Sequence, residues 1–258
     1  MSGLNALFRK RIGFADDEPI PFESLDRVLE KTAQTIPFEN FRIIENNLRE
    51  ITKENLIRNM LVNEEGGLCY ELNSLLCFFL LENGFQAELT RGVVYRKESQ
   101  QYLTIGRTHV TILLTHEGRT YLVDTGFGGN LPLKPVPLTG ETVTSGNGQF
   151  RIKPVTSEHG DSILEMKLKH KDTDWRIGYA FDSKKRVADI SEFNEIQTII
   201  SEHQESPFNK QHLITKLTDE GSATLTNHSF TQWADGVMTK EQIDNARYKQ
   251  LLKQHFGR

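Results

Sequence analysis

The hydrophobic period of this chain changes once, at about Phe85, and that change limits the fold more than any other feature. Upstream, apolar residues recur three and four apart. Leu25, Val28, Leu29 and Thr32 follow Ser24, and Leu56, Ile57, Met60 and Leu61 follow Thr52, each set behind a residue able to cap a helix. A third helix is predicted to start at Cys69, to carry Leu72, Leu75, Leu76, Phe79 and Leu80, and to stop at Gly84. These segments predict a small helical bundle. Downstream the period is two: "HVTILLTHEGRTYLVD" is two β-branched runs around a His-Glu-Gly turn, "SILEMKLK" alternates, and "WRIGYAF" adds an aromatic strand. The middle third therefore reads as an antiparallel sheet or barrel, with "TGETVTSGNGQ" as a surface loop. The last third is mixed. A helix is predicted through Ile190, Phe193, Ile196, Ile199 and Ile200, short strands over 211–217 and 223–230, and a final helix opening on a Thr239/Gln242 capping box. The fold class is α+β.

Charge and cysteine content narrow the function classes. A formal charge of −4 offers no basic footprint for a phosphate backbone, so nucleic acid is excluded as the expected partner and small molecules are favoured. No run approaches the ~18 apolar residues of a membrane span, and the first twenty residues lack a signal-peptide core, so a cytoplasmic location without membrane contact is expected. Cys69 and Cys77 on one helix would stand ~12 Å apart, beyond disulfide reach, so both thiols are expected free. Without a C-x-x-C pair or spaced histidines, no metal is expected either.

Two local arrangements carry chemistry. In "EEGGLCYELNSLLCFF" Cys69 sits at a helix start, where unpaired amides and the helix dipole favour a thiolate and could bind an oxyanion. Gly66 and Gly67 would clear space for a substrate carbonyl. A two-residue turn at His116 and Glu117 would set His109 directly opposite Asp124, and a slip of one residue would leave them near-diagonal. Each arrangement has a plainer reading: an inert buried thiol, and an ordinary cross-strand contact. Cys77, among Leu75, Leu76, Phe78 and Phe79, reads as core, and the other seven histidines, His116 included, gain no role from spacing.

"RKRIGF", "IPFEN", "GGLCYELN", "RTHV", "VDTGFG" and "SPF", in this order, resemble the signature segments of the arylamine N-acetyltransferase family. The resemblance implies three parts: a helical bundle over 1–85, a β-barrel over 86–188 and an α/β lid over 189–258, around a cysteine-protease-like Cys-His-Asp core. It makes Cys69 the nucleophile, His109 the base and Asp124 its orienting partner, the same three residues that helix position and hairpin register bring forward. It implies acetyl transfer from acetyl-CoA to an arylamine, hydrazine or arylhydroxylamine through an acetyl-cysteine, a reaction of xenobiotic metabolism. It also puts Phe38 and Phe127 in the acceptor pocket and Gly106, Gly128 and Gly129 beside CoA. The family usually carries arginine where this chain has Glu65, which is expected to turn away from Cys69 or towards Arg11. A transglutaminase-like thiol hydrolase shares the Cys, His, Asp order, and an amide synthase of natural-product biosynthesis shares the family's triad. The sequence leaves oligomeric state open.

Overall fold

In the computed structural model, which describes residues 3–258, the change of period at Phe85 is a change of architecture. The helical part comprises α1 (Gly3–Ile12), α2 (Leu25–Thr35), a two-residue strand β1 (Phe38–Glu39), α3 (Phe41–Ile44), α4 (Lys53–Leu56) and α5 (Cys69–Glu82). Ser24 belongs to a 3-10 turn and makes no side-chain cap, whereas Thr52 does cap α4, its hydroxyl accepting from the Asn55 amide at 3.2 Å. Helix α5 is buried on nearly every face, so it is the central post of the bundle rather than an amphipathic surface helix. Its chain reverses at Gly84, where φ is +84°.

The middle third contributes β2 (Gln86–Arg96), β3 (Gln101–Tyr102), β4 (His109–His116), β5 (Arg119–Val123), β6 (Val136–Pro137), β7 (Val143–Ser145), β8 (Gly148–Ser157), β9 (Gly160–Leu168) and β10 (Arg176–Phe181). They form an antiparallel sheet ordered β6-β5-β4-β2-β10-β9-β8-β7, with β3 paired to β2. The sheet curls into a nearly closed barrel around Phe150, Leu164, Met166, Tyr179 and Phe181. The stretch expected as loop at "TGETVTSGNGQ" is largely the β7–β8 hairpin, closed at Ser145 and Gly148. Its polar residues pair at a sheet edge, which an absence of apolar alternation concealed.

The last third holds α6 (Phe193–Glu202), β11 (Leu213–Thr218), β12 (Gly221–Thr226), β13 (Ser229–Ala234), β14 (Val237–Gln242) and α7 (Asn245–Phe256). The segment read as one strand over 223–230 is two, β12 and β13, turning at Asn227 and His228. The expected Thr239/Gln242 capping box is also overturned: both residues lie in β14, and α7 is capped by Asp244, which accepts from the Arg247 amide at 2.8 Å. Cross-strand pairing with β13 outweighs the local capping pattern there.

β1 pairs antiparallel with β11, Phe38 with Thr215 and Glu39 with Ile214, so the helical third lends an edge strand to the C-terminal sheet. Asn40 adds to this junction, donating to the Phe208 and Gln211 carbonyls at 2.8 Å and accepting from the Leu213 amide at 2.7 Å. Among the described residues no helix is long and apolar enough to cross a membrane.

Candidate active site

The β4–β5 turn is at Glu117 and Gly118, one residue later than expected, with φ of +48° and +74°. A two-residue hairpin turn of this kind needs positive φ at both positions, which draws Gly118 into the turn. Directly opposed placement of His109 and Asp124 is therefore corrected to a diagonal one, as Asp124 follows Val123, the partner of Ile112. The two side chains still meet: His109 Nε2 and Asp124 Oδ2 are 2.8 Å apart, both residues buried.

Asp124 is fully engaged. Its Oδ2 also accepts the Tyr179 hydroxyl at 2.7 Å, while Oδ1 accepts Asn73 Nδ2 at 2.9 Å and the Gly126 amide at 2.7 Å. Burial pushes its pKa up, but the charge of His109 and these hydrogen bonds prevail and hold it below the usual carboxylate value. For His109, burial acts downwards, yet the charge and hydrogen bond of Asp124, with a contribution from Cys69, push the ring up to about 10. Asp124 thus favours the protonated form of the ring.

With Nε2 committed to Asp124, His109 has Nδ1 for its hydrogen bond to the Cys69 thiol. Cys69 is the first residue of α5, and its Sγ lies 3.5 Å from the Thr108 carbonyl oxygen. The three side chains come from three elements: the start of α5, the start of β4 and the loop after β5. Cys77 is two turns along α5 in the core, where burial pushes its thiol up to about 12.

The start of α5 is built from carboxylates. Glu71 Oε2 accepts the Leu68 amide at 2.9 Å and so caps the helix; burial, opposed by that bond and by Arg42, raises its pKa to about 7. Glu39 Oε1 accepts the Gly66 amide at 3.0 Å. Glu65 pairs with Arg42 and not with Arg11, which instead donates to the Glu64 carbonyl at 2.9 Å.

The reason expected for Gly66 and Gly67 is overturned as well. A Cβ on Gly66 would stand 2.1 Å from the Pro37 carbonyl oxygen, and one on Gly67 3.0 Å from the Glu71 side chain, so both glycines serve packing of the strap below Cys69. The glycine that clears the thiol is Gly126, whose added Cβ would be 2.6 Å from Cys69 Cα and 2.7 Å from Asn73 Nδ2.

Cys69 and His109 open onto a cleft of about 730 Å³ between the barrel and the C-terminal sheet. Phe38, Phe127 and Phe208 line it, with Phe38 and Phe208 edge-on at 5.4 Å. Gly128 and Gly129 line it too, whereas Gly106 borders an adjoining groove of about 700 Å³ with Tyr95, Tyr102 and His159. Asn73, Tyr179 and Gly126 escaped the sequence reading, although Asn73 lies one turn after Cys69 on the same helix face. Among the described residues no group of histidine, cysteine and carboxylate side chains gathers as a metal site.

A thiol at a helix start, hydrogen-bonded to an imidazole that a buried carboxylate holds, under an aromatic-walled cleft, defines the class of thiol-dependent acyl-transfer proteins. The chain belongs to the arylamine N-acetyltransferase family: the N-acetyltransferase family model matches residues 21–257. Arylamine N-acetyltransferase C of Bacillus anthracis is 39% identical, with a TM-score of 0.94 over 100% of this chain and 99% of that one. An arylamine N-acetyltransferase of Bacillus cereus, distinguished by a Cys-His-Glu catalytic triad, is 42% identical with a TM-score of 0.93, again over 100% and 99%. In this chain the carboxylate on His109 is Asp124. An uncharacterized acetyltransferase of Bacillus subtilis is 39% identical over 248 residues, 96% of this chain and 95% of that protein.

Proposed function

We propose that this acyltransferase moves the acetyl group of acetyl-CoA to arylamines, hydrazines or arylhydroxylamines by a ping-pong route through acetyl-Cys69. The observation that carries the proposal is the Cys69 thiol held at the start of α5 against a histidine that Asp124 keeps protonated. An imidazolium beside sulfur favours attack by the ionised thiol in general, and that is the role proposed for His109.

The thiolate attacks the thioester carbonyl, forming a Cys69 sulfur–carbon bond. Of the amides at this helix start, that of Leu68 is taken by Glu71 and that of Glu71 by the Leu68 carbonyl, which leaves the Cys69 and Tyr70 amides as the donors that would receive the oxyanion. Collapse expels CoA as its thiolate, which takes the proton of His109. In the second half-reaction the amine nitrogen attacks acetyl-Cys69, His109 accepts a proton from that nitrogen, and the amide departs with the thiolate restored. Phe38 and Phe127 would flank the flat acceptor, and Gly128 and Gly129 would admit the pantetheine arm. Gly106, on the adjoining groove, would meet CoA farther from the thiol.

The labour would divide along the chain: 1–85 supplies the nucleophile, 86–188 the base and its carboxylate, and 189–258 covers the cleft through Leu213, Thr215 and Trp233. Both free cysteines suit the reducing cytoplasm, where acetyl-CoA and foreign amines meet.

Excess acetyl-CoA without amine should release about one equivalent of CoA in a burst, followed by a slow phase, and mass spectrometry should find one acetyl group on Cys69. Adding an arylamine should convert the slow phase to rapid turnover, while Cys69→Ser should show neither phase. Sustained fast CoA release without amine would instead mark a thiol hydrolase. CoA binding with neither burst nor turnover would mark an amide synthase.

A further inference from the structure

The cationic lining of the cleft opposes the sign of the chain as a whole. The protein carries a formal charge of −4, yet Arg96, Lys97, Lys171 and Arg176 line the cleft against only two carboxylates, Glu98 and Asp172. Asp172 is already saturated: it pairs with Arg176 at 2.8 Å and Lys97 at 3.4 Å, and it accepts the Leu168 amide at 3.0 Å. Arg176 is further held by Asn130 Oδ1 at 2.9 Å, in the loop that follows Gly128 and Gly129.

Lys171 is different from its neighbours. Its ammonium makes no salt bridge among the described residues; it donates to Ser222 Oγ at 3.3 Å and stands 5.1 Å from the centre of the Trp233 ring. Ser222 and Trp233 themselves line the cleft, so the half-buried cation is pinned at its wall rather than waving in solvent. Burial and the neighbouring Arg176 lower its pKa, with Asp172 opposing them; an anion in the cleft would relieve that cost.

We propose that Lys171, steadied by Trp233 and Ser222 and backed by Arg176, is a carboxylate-recognising subsite that makes acidic arylamines the preferred acceptors. The proposal rests on the acetyltransferase reading of the cleft. A single ammonium held by an indole face and a hydroxyl presents its remaining donors in a fixed direction, which suits one carboxylate on a rigid ring. Phosphates of a long, flexible cofactor are better met by solvent-exposed cations such as Lys97, whose side chain is 64% exposed. The aromatic residues Phe38, Phe127 and Phe208 and the Lys171 cation, which line one cleft, would then read the ring and the carboxylate of one acceptor.

The test compares acids that step the carboxylate outward from the amine, para-aminobenzoate, para-aminophenylacetate and para-aminophenylpropionate, each against its neutral amide. The wild type should favour at least one acid over its amide in kcat/KM. Lys171→Met should lower that ratio on the order of tenfold or more, the value of a hydrogen bond to a charged group, and Lys171→Arg should restore part of it. The acetyl-CoA burst counts competent sites in each preparation, so a misfolded fraction cancels. Unchanged ratios in Lys171→Met would overturn the proposal. A raised acetyl-CoA KM with unchanged ratios would overturn it too, placing the charge under the cofactor's phosphates. Absence of any burst in the wild type would defeat the acetyltransferase reading itself, a different result from loss of charge discrimination.

Discussion

The guanidinium of Arg258, beyond the end of α7, donates to Glu39 Oε1, the same oxygen that accepts the Gly66 amide. It also lies over the Phe41 ring at 5.1 Å. A cation that follows α7 thereby partners a buried carboxylate under the strap beneath Cys69, the strap that also holds Glu65. Arg258→Ala should destabilise the fold by about 1–3 kcal/mol, because a buried carboxylate loses its charged partner. Burial already raises the Glu39 pKa against the pull of Arg258, and removing the arginine raises it further. The destabilisation should therefore be larger at pH 8 than at pH 5, where Glu39 can protonate. Urea melts of the variant at the two pH values would reveal the difference, and Glu39→Gln should shrink it.

Asp124→Asn should keep the fold but lose roughly 10³–10⁴ in kcat/KM, since an amide cannot hold the ring cationic and can select the wrong tautomer. Tyr179→Phe removes only one of the hydrogen bonds on Asp124 and should cost about tenfold. Equal activity of Asp124→Asn and wild type in the amine-dependent assay would break the link between the carboxylate and the thiol.

Gly126→Ala tests the close approach of the barrel loop to α5. The residue has no positive φ, so the whole penalty is the contact of the new methyl with Cys69 and Asn73. The acetylation burst should slow by at least about tenfold, since displacements near an ångström disturb a reacting geometry by that order or more. The melting temperature should move by only a few degrees. A normal burst rate would show that the loop yields at no cost.

Glu71 gives a pH signature of stability. Burial raises its folded-state pKa from 4.5 to about 7, so the native state binds the extra proton and this contribution is lost as pH rises from about 4.5 to about 7. In Glu71→Gln the amide oxygen can still accept the Leu68 amide, but nothing titrates. The stability difference, wild type minus variant, should fall across that interval by on the order of 2–3 kcal/mol. Chemical denaturation at several pH values would measure it, and a flat difference would contradict a buried, protonating carboxylate.

What could be read from the sequence was what neighbours in the chain dictate. The start of α5 at Cys69, its end before Gly84 and the strands of the β4–β5 hairpin all follow from local period and turn chemistry. The meeting of His109 and Asp124 survived a wrong register because a diagonal neighbour on the same face remains within reach. The rest depends on partners far away. Tyr179 reaches Asp124 only once β10 is laid beside β2, and Gly126 shows its purpose only when its loop is set against α5. The Thr239 pattern misled for the same reason, as a capping motif cannot announce that β13 will claim it as a strand.

The pairing of β1 with β11 makes the C-terminal sheet part of the floor of the site as well as its cover. Phe38 bridges Gly67 on one side and Thr215 on the other, so the strap beneath Cys69 is backed by chain synthesised long after it. During translation the thiol leaves the ribosome early, but its support is not complete until β11 and then Arg258 have emerged. The strap beneath Cys69 is thus made early and backed late.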